Sequence, residues 1–140
     1  STTMYGALDI STSGLIAQRT RLEAITANIA NQHTIADAQG RNVPFARRMV
    51  FFAPGDPSAT DPGARSLGVH VESIRQDPSF TLRYEPGNAL ADADGYVKYP
   101  DINPVFEMMN MYEAQRAYEA NISAAEATKT MVAQALRLIA

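Results

Sequence analysis

Residues 8–34, LDISTSGLIAQRTRLEAITANIANQHT, place Leu8, Leu15, Leu22 and Ile29 at intervals of seven, with Met4 and Ile25 at the intervening core positions. That is the spacing of a coiled-coil seam and not of a broad globular face. Working outward to the far end of the chain, a second ladder runs Met108, Met111, Gln115, Tyr118, Ile122, Ala125, Lys129, Val132, Leu136 and Ile139, its steps alternating between three and four. Two seam-bearing ends with a different kind of sequence between them predict an α+β chain. Its long terminal helices pack as an antiparallel coiled-coil-like pair, with a small β-rich middle insert, in an elongated molecule. Two function classes follow: a subunit of an assembly, or a small enzyme or binder that merely contains helices.

The first helix is expected from Met4 to Gln32, a stretch with few charges and no proline. Gly14 and the Ser11-Thr12-Ser13 group weaken it locally, since glycine costs about 1 kcal/mol against alanine in a helix interior. The second helix has a sharp start. Asn103 is a good N-cap, Pro104 suits the first helical position, and Glu107 brings a negative charge to the positive end of the dipole. No glycine or proline follows, so about 36 residues can run unbroken for roughly 54 Å. Ala117, Ala120, Ala124, Ala125, Ala127, Ala133 and Ala135, with Met131 and Leu138, give this helix a second smooth face, which implies neighbours on more than one side.

From Gln39 to Asp101 the pattern is strand and turn, with strands expected at Phe45–Ala53, Val69–Ile74 and Phe80–Tyr84. Pro54–Gly68 holds three of the eight prolines and three of the eight glycines and reads as a surface loop. The expected organisation is a discontinuous helical assembly domain, 1–34 with 103–140, and a β-rich insert, 35–102, with a Pro/Gly loop at 54–68.

The 140 residues carry a net charge of −3, which provides no footprint for nucleic acid; Arg41, Arg47 and Arg48 form only a small basic cluster beside a strand. With no cysteine there is no disulfide framework and no thiol nucleophile. No apolar run approaches the roughly 18 residues of a membrane span, and no basic start leads into an apolar core, so export without a cleaved signal is expected. His33 and His70 lie on separate segments, and His33 reads as a polar residue at a helix end. Asp92, Asp94, Gly95 and Asp101 suggest a calcium loop, but Leu90 occupies its first ligand position and Lys98 its ninth, so Asp94-Gly95 reads as a tight turn. No phosphate loop, nucleophile elbow or paired-carboxylate helix occurs. No catalytic residue, metal site or cofactor is expected.

Asn28 and Asn31 suit either the end of the first helix or hydrogen bonds between subunits. Gln115 and Lys129 interrupt the second seam, where polar positions can set register or a long stem can reach the surface. Met108, Met109 and Met111 suit adaptable packing, or a junction between unlike subunits. The residues expected at a subunit interface are Leu8, Leu15, Leu22, Ile25, Asn28, Ile29 and Asn31 on the first helix. On the second they are Met108, Met111, Tyr118, Ile122, Ala125, Val132, Leu136 and Ile139.

Three stretches resemble the bacterial flagellar basal-body rod protein family, most closely its proximal-rod members. They are residues 8–34 with the signature Ala27-Asn28-Ile29-Ala30-Asn31, residues 92–104 (DADGYVKYPDINP), and residues 108–125 (MMNMYEAQRAYEANISAA). Phe106 departs from the family, which usually carries an acid there. The resemblance implies a non-enzymatic structural subunit that passes through the flagellar type III export apparatus and polymerises into the rod spanning the periplasm. Its implied partners are further copies of itself, other rod proteins and the ring–rod junction. Another axial component of the flagellum, or a free-standing coiled-coil adaptor, are the competing expectations.

Overall fold

The computed structural model describes residues 4–140; residues 1–3, where the expected domain of 1–34 begins, lie outside the described residues. In chain order the elements are α1 (Met4–Ala30), β1 (Arg47–Pro54), α2 (Pro62–Leu67), β2 (Val69–Asp77), β3 (Phe80–Tyr84), β4 (Tyr96–Pro100) and α3 (Pro104–Ile139). The long terminal helices pack together and the strands form two two-stranded sheets, β1–β2 and β3–β4, so the chain is α+β. Two compact units divide it. One contains α1 up to Leu22, Val50–Ser73 and Tyr112–Ala140; the other contains Glu23–Met49 and Ile74–Met111. They are called unit 1 and unit 2 below.

Three hydroxyls of α1 bond back to a carbonyl one turn earlier and so leave the helix unbroken: Thr12 to Leu8 at 2.9 Å, Ser13 to Ile10 at 2.7 Å, Thr20 to Ile16 at 3.1 Å. The helix ends two residues before the expected Gln32. Asn31 turns its side-chain amide onto the Ala27 carbonyl at 2.8 Å, doubling the bond its backbone N–H makes there at 3.0 Å. At the start of α3, Asn103 caps as expected. Its Oδ1 accepts from the Val105 amide at 3.0 Å, and its carbonyl accepts from Glu107 N–H.

In unit 1 the 54–68 stretch carries α2, a short helix where the sequence reads as loop only. Asp61 accepts from the Ala64 amide at 3.0 Å as N-cap, Pro62 opens the helix, and Ala64 is fully buried. Gly55, at φ +92°, turns the chain so that its amide meets the Gly68 carbonyl at 2.6 Å. Ser13 Oγ accepts from Val69 N–H at 3.1 Å and so ties the first residue of β2 to α1.

In unit 2, β3 and β4 form an antiparallel hairpin in the register Phe80 to Pro100 through Tyr84 to Tyr96. β4, YVKYP, is a strand the sequence pattern leaves within a turn region, because Asp92, Asp94 and Gly95 before it and Pro100 at its end are turn and breaker signals. The Asp94-Gly95 turn is present. Asp92 Oδ1 accepts the amides of Asp94 and Tyr96, both at 2.9 Å, and Gly95 sits at φ +87°, where a Cβ would stand 2.9 Å from the Tyr84 ring. Asn42 acts as one residue of an extra strand beside β4: its Oδ1 accepts from Lys98 N–H at 2.9 Å and its Nδ2 donates to Lys98 O at 3.1 Å.

Candidate assembly surface and buried polar cluster

Within unit 1 the helices pair antiparallel. Gly14 lies against Asn121 and Arg21 against Glu113, so position rises along α1 as it falls along α3. A Cβ at Gly14 would stand 2.6 Å from Asn121 Nδ2, so glycine is what lets the helices approach so closely there. The glycine that looks like a weak point in the sequence is a packing requirement. The Arg21–Glu113 pair, 3.6 Å apart and largely hydrated at the glutamate, contributes at most about 1 kcal/mol.

The buried row of α3 differs from the sequence ladder by one residue at alternate steps. Met111 in unit 2 and Tyr118, Ala125 and Val132 in unit 1 are half-buried, as the ladder requires. The intervening inward positions are Glu107 in unit 2 and Ala114, Asn121, Thr128 and Ala135 in unit 1, each one residue before a ladder position. Gln115 and Lys129 are exposed, as are Met108, Ile122, Leu136 and Ile139. The physical reason is separation. Only small side chains fit a close helix approach, and the polar ones return their groups to their own helix, Thr128 Oγ1 to Ala124 O at 3.0 Å and Asn121 Nδ2 to Ala117 O at 3.1 Å. On α1, Ala17 in unit 1 and Ala24, Ile25 and Asn28 in unit 2 are buried, while Leu8, Leu15 and Leu22 in unit 1 and Ile29 in unit 2 are half-buried.

Unit 2 carries a cluster that periodicity does not reveal. Asn28 is 0% and Glu107 1% exposed. Asn28 Oδ1 accepts from Arg48 N–H at 2.8 Å; its Nδ2 donates to Arg48 O at 3.0 Å and to Glu107 Oε2 at 3.3 Å. Arg47 Nε donates to Glu107 Oε1. One amide thus imitates a strand neighbour for β1 while orienting a buried carboxylate whose charge Arg47 neutralises. Asn28 has both amide hydrogens engaged inside the unit, and Asn31, half-buried, ends α1. Arg47 and Glu107 were legible only as members of other patterns, a basic cluster and a helix-dipole charge. The one signal in the sequence is at Glu107, a lone acid one heptad before Ala114 in a helical turn that is otherwise apolar.

The remaining candidates do not converge on chemistry. His33 is exposed in the turn after α1, and His70 Nδ1 donates to Gly55 O at 2.8 Å. Among the described residues no three of histidine, aspartate or glutamate are grouped as metal ligands, and no helix is long and apolar enough to cross a membrane. The backbone amide of Arg41 chiefly holds the Asp37 carboxyl below the usual carboxylate range, and the Ser79 hydroxyl does so for Asp77. The hydrogen bond to Glu85 raises Tyr99 above the ordinary tyrosine value. These are loop locks of the kind that fix turns.

Comparison with known families joins the two ends. Residues 8–34 match the model for flagella basal body rod proteins, and residues 93–138 match the C-terminal model of the flagellar basal body rod FlgEFG proteins. The chain is similar to the flagellar basal-body rod protein FlgC of Bacillus subtilis, 36% identical over 97% of this chain and 98% of the relative. It is similar to the Aquifex aeolicus protein of the same description, 40% identical over 90% of each chain. The Salmonella typhimurium relative is 39% identical over 93% of each.

Proposed function

The chain belongs to the flagellar basal-body rod protein family, and we propose that it is a non-enzymatic structural subunit of the proximal rod, polymerising through its terminal helices into the axial drive shaft. The observation that carries this reading is the apolar surface left on α3. Packing against α1 uses small residues, so the larger ones remain outside: Ile122, Met131, Leu136, Leu138 and Ile139, the last two 89% and 82% exposed. At about 100° per residue, Ile122 and Leu136 fall on one side of α3 and Met131 and Leu138 on the opposite side, so large apolar side chains face solvent in two directions, as a helix with neighbours on more than one side requires. Residues 1–34 and 103–140 form the assembly domain in this reading, and 35–102 the insert.

The partners are further copies of the chain and other rod proteins, with the ring–rod junction below them. The route is the flagellar type III export apparatus, and the destination is the periplasm-spanning part of the basal body. A contact joining two different patches can repeat into an open helical stack, which is what a shaft requires.

Leu136→Asp is the direct test, because an exposed residue can be changed without opening the fold. The purified variant is expected to keep the helix content of the parent by circular dichroism, yet to be absent from isolated basal bodies and to abolish motility. Leu22→Asp should also block incorporation. Motile cells with either variant present in their basal bodies would sink the reading.

A further inference from the structure

The β3–β4 hairpin of unit 2 has an outward face that its own fold leaves uncovered. Directly opposed residues of an antiparallel pair share a face, so Phe80, Leu82 and Tyr84 lie with Pro100, Lys98 and Tyr96. Thr81, Arg83, Val97 and Tyr99 take the other face, which is the inner one because Val97 is fully buried. Pro100, at the edge of the outward face, is buried, and Asp77 lines the same hollow as Phe80 and Lys98. Phe80, Leu82, Tyr84 and Tyr96, between 41% and 65% exposed, stand in solvent with one cation, Lys98, among them. The face is already organised: the Tyr84 and Tyr96 rings meet edge to face at 5.3 Å, and Lys98 Nζ lies over the Phe80 ring at 5.1 Å.

Four large side chains about half exposed present roughly 400 Å² of mostly apolar surface, within the size range of functional patches on single proteins. A standard interface needs about 800 Å² from each partner. The face is too small to hold a partner alone and suits a contact that counts when many copies are already in line.

We propose that this face docks on α3 of a second copy of the chain, over Glu119, Ile122 and Glu126. The proposal rests on the rod-subunit reading and adds a contact distinct from pairing of the terminal helices. Charge complementarity selects the occupant. Glu119, Ile122 and Glu126 are spaced by three and four residues, so they share one helix face, and all three are exposed. Two carboxylates frame an aliphatic side chain there, while the hairpin offers an aliphatic side chain, Leu82, directly opposite an ammonium group, Lys98, with two phenol donors on the same face. Arg116 and Lys129, one step beyond at either end, bound the acidic stretch. The two patches differ, so the contact is heterologous and propagates instead of closing on a dimer.

The absence of native cysteine makes each introduced thiol unique. Leu82→Cys and Ile122→Cys chains, differently tagged and co-expressed, are oxidised in isolated basal bodies, with Tyr96→Cys as a second probe of the same face. A disulfide-linked product between the two kinds of copy is expected, and none from either variant alone. Lys98→Glu should lower its yield at least several-fold, and adding Glu126→Lys should restore it. Basal bodies that contain both variants by immunoblot but yield no mixed product would overturn the docking proposal while leaving the rod reading intact. So would linkage of Leu82→Cys to a different protein. Absence of the unaltered chain from basal bodies would overturn both, and the same blot reads it.

Discussion

Unit 1 and unit 2 join segments of the same two helices by opposite means. In unit 1, side chains are small where the helices meet: Gly14 on α1 lies against Asn121 on α3, Ala17, Ala114 and Thr128 are buried, and Asn121 and Thr128 bond to their own helix. In unit 2, polar side chains are added and satisfied between elements, Asn28 and Glu107 with Arg47 and the Arg48 backbone. Small residues permit closeness but tolerate sliding, because neighbouring small residues offer similar surfaces. A buried polar cluster has one alignment in which every group is paired, and a slip leaves a charge stranded. The contrast therefore predicts that unit 2 fixes register and unit 1 fixes distance.

The largest effect is expected from breaking the ion pair. Arg47→Ala leaves the Glu107 carboxylate buried without its cation and should cost about 3 to 5 kcal/mol in urea unfolding. Glu107→Ala should cost distinctly less, because the remaining Arg47 side chain is 29% exposed and can take up water. Equal losses from the two variants would show that the cluster does not act as a buried charge, and the contrast with unit 1 would fail at its strongest point.

Asn28 comes next. Asn28→Ala removes the partner of the part-buried Arg48 N–H and C=O, and at the lower end of about 1 to 3 kcal/mol for each such group the loss should be about 2 kcal/mol. Asn28→Asp should be worse than Asn28→Ala near neutral pH, since it sets a second carboxylate beside Glu107 Oε2. That difference should close in acid, where the introduced carboxyl takes up a proton. A pH-independent difference would remove Glu107 from the account of this residue.

How far the sequence can be read follows from the same contrast. Helix boundaries, the Asn103 cap, β3 and the Asp94-Gly95 turn are local, and local chemistry writes them plainly: Phe80–Tyr84 has the expected bounds, and α3 starts at Pro104. The positions Met111, Tyr118, Ala125 and Val132 are legible because they lie in the heptad row and are also large or apolar enough to notice. The interleaved row is not, because hydrophobicity favours Met108 over Glu107 and Ile122 over Asn121, whereas close approach favours the smaller or self-satisfied partner. Arg47 and Glu107 are 60 residues apart, and no local pattern relates them. In α2, six residues containing proline and glycine resemble a loop until burial of Ala64 is known. Where large apolar residues were read as core and the structure leaves them outside, as with Ile122 and Leu136, the discrepancy points to the candidate assembly surface.

Gly14→Ala tests unit 1 with a smaller effect. The added Cβ meets Asn121 Nδ2 at 2.6 Å, an overpacking that costs about 1 to 3 kcal/mol, against a gain of about 1 kcal/mol in helix propensity. A net loss of about 1 kcal/mol is expected. In an Asn121→Ala background the clash disappears and the same substitution should stabilise by about 1 kcal/mol, so the sign reverses between backgrounds. A loss that persists in the second background would show that the distance between the helices is not set at this pair.

The smallest effect is expected at Asp37 in unit 2, whose carboxylate accepts the Arg41 amide at 2.9 Å, the Gln39 amide at 3.0 Å and Arg41 Nε at 2.8 Å. Its folded pKa lies below the ordinary 3.8, chiefly through the Arg41 amide. A depressed folded value means that the ionised form is the stabilising one. The contribution is present above about pH 4 and is lost as pH falls through the folded value. Asp37→Asn should therefore be slightly less stable than the parent at neutral pH and converge with it in acid, as read from thermal midpoints across a pH series. Gly14→Ala acts through contact alone, so its deficit should not change over the same range. A Gly14→Ala deficit that tracked pH along with that of Asp37→Asn would mean that unit 1 also depends on charge, and the division between closeness and polar pairing would be lost.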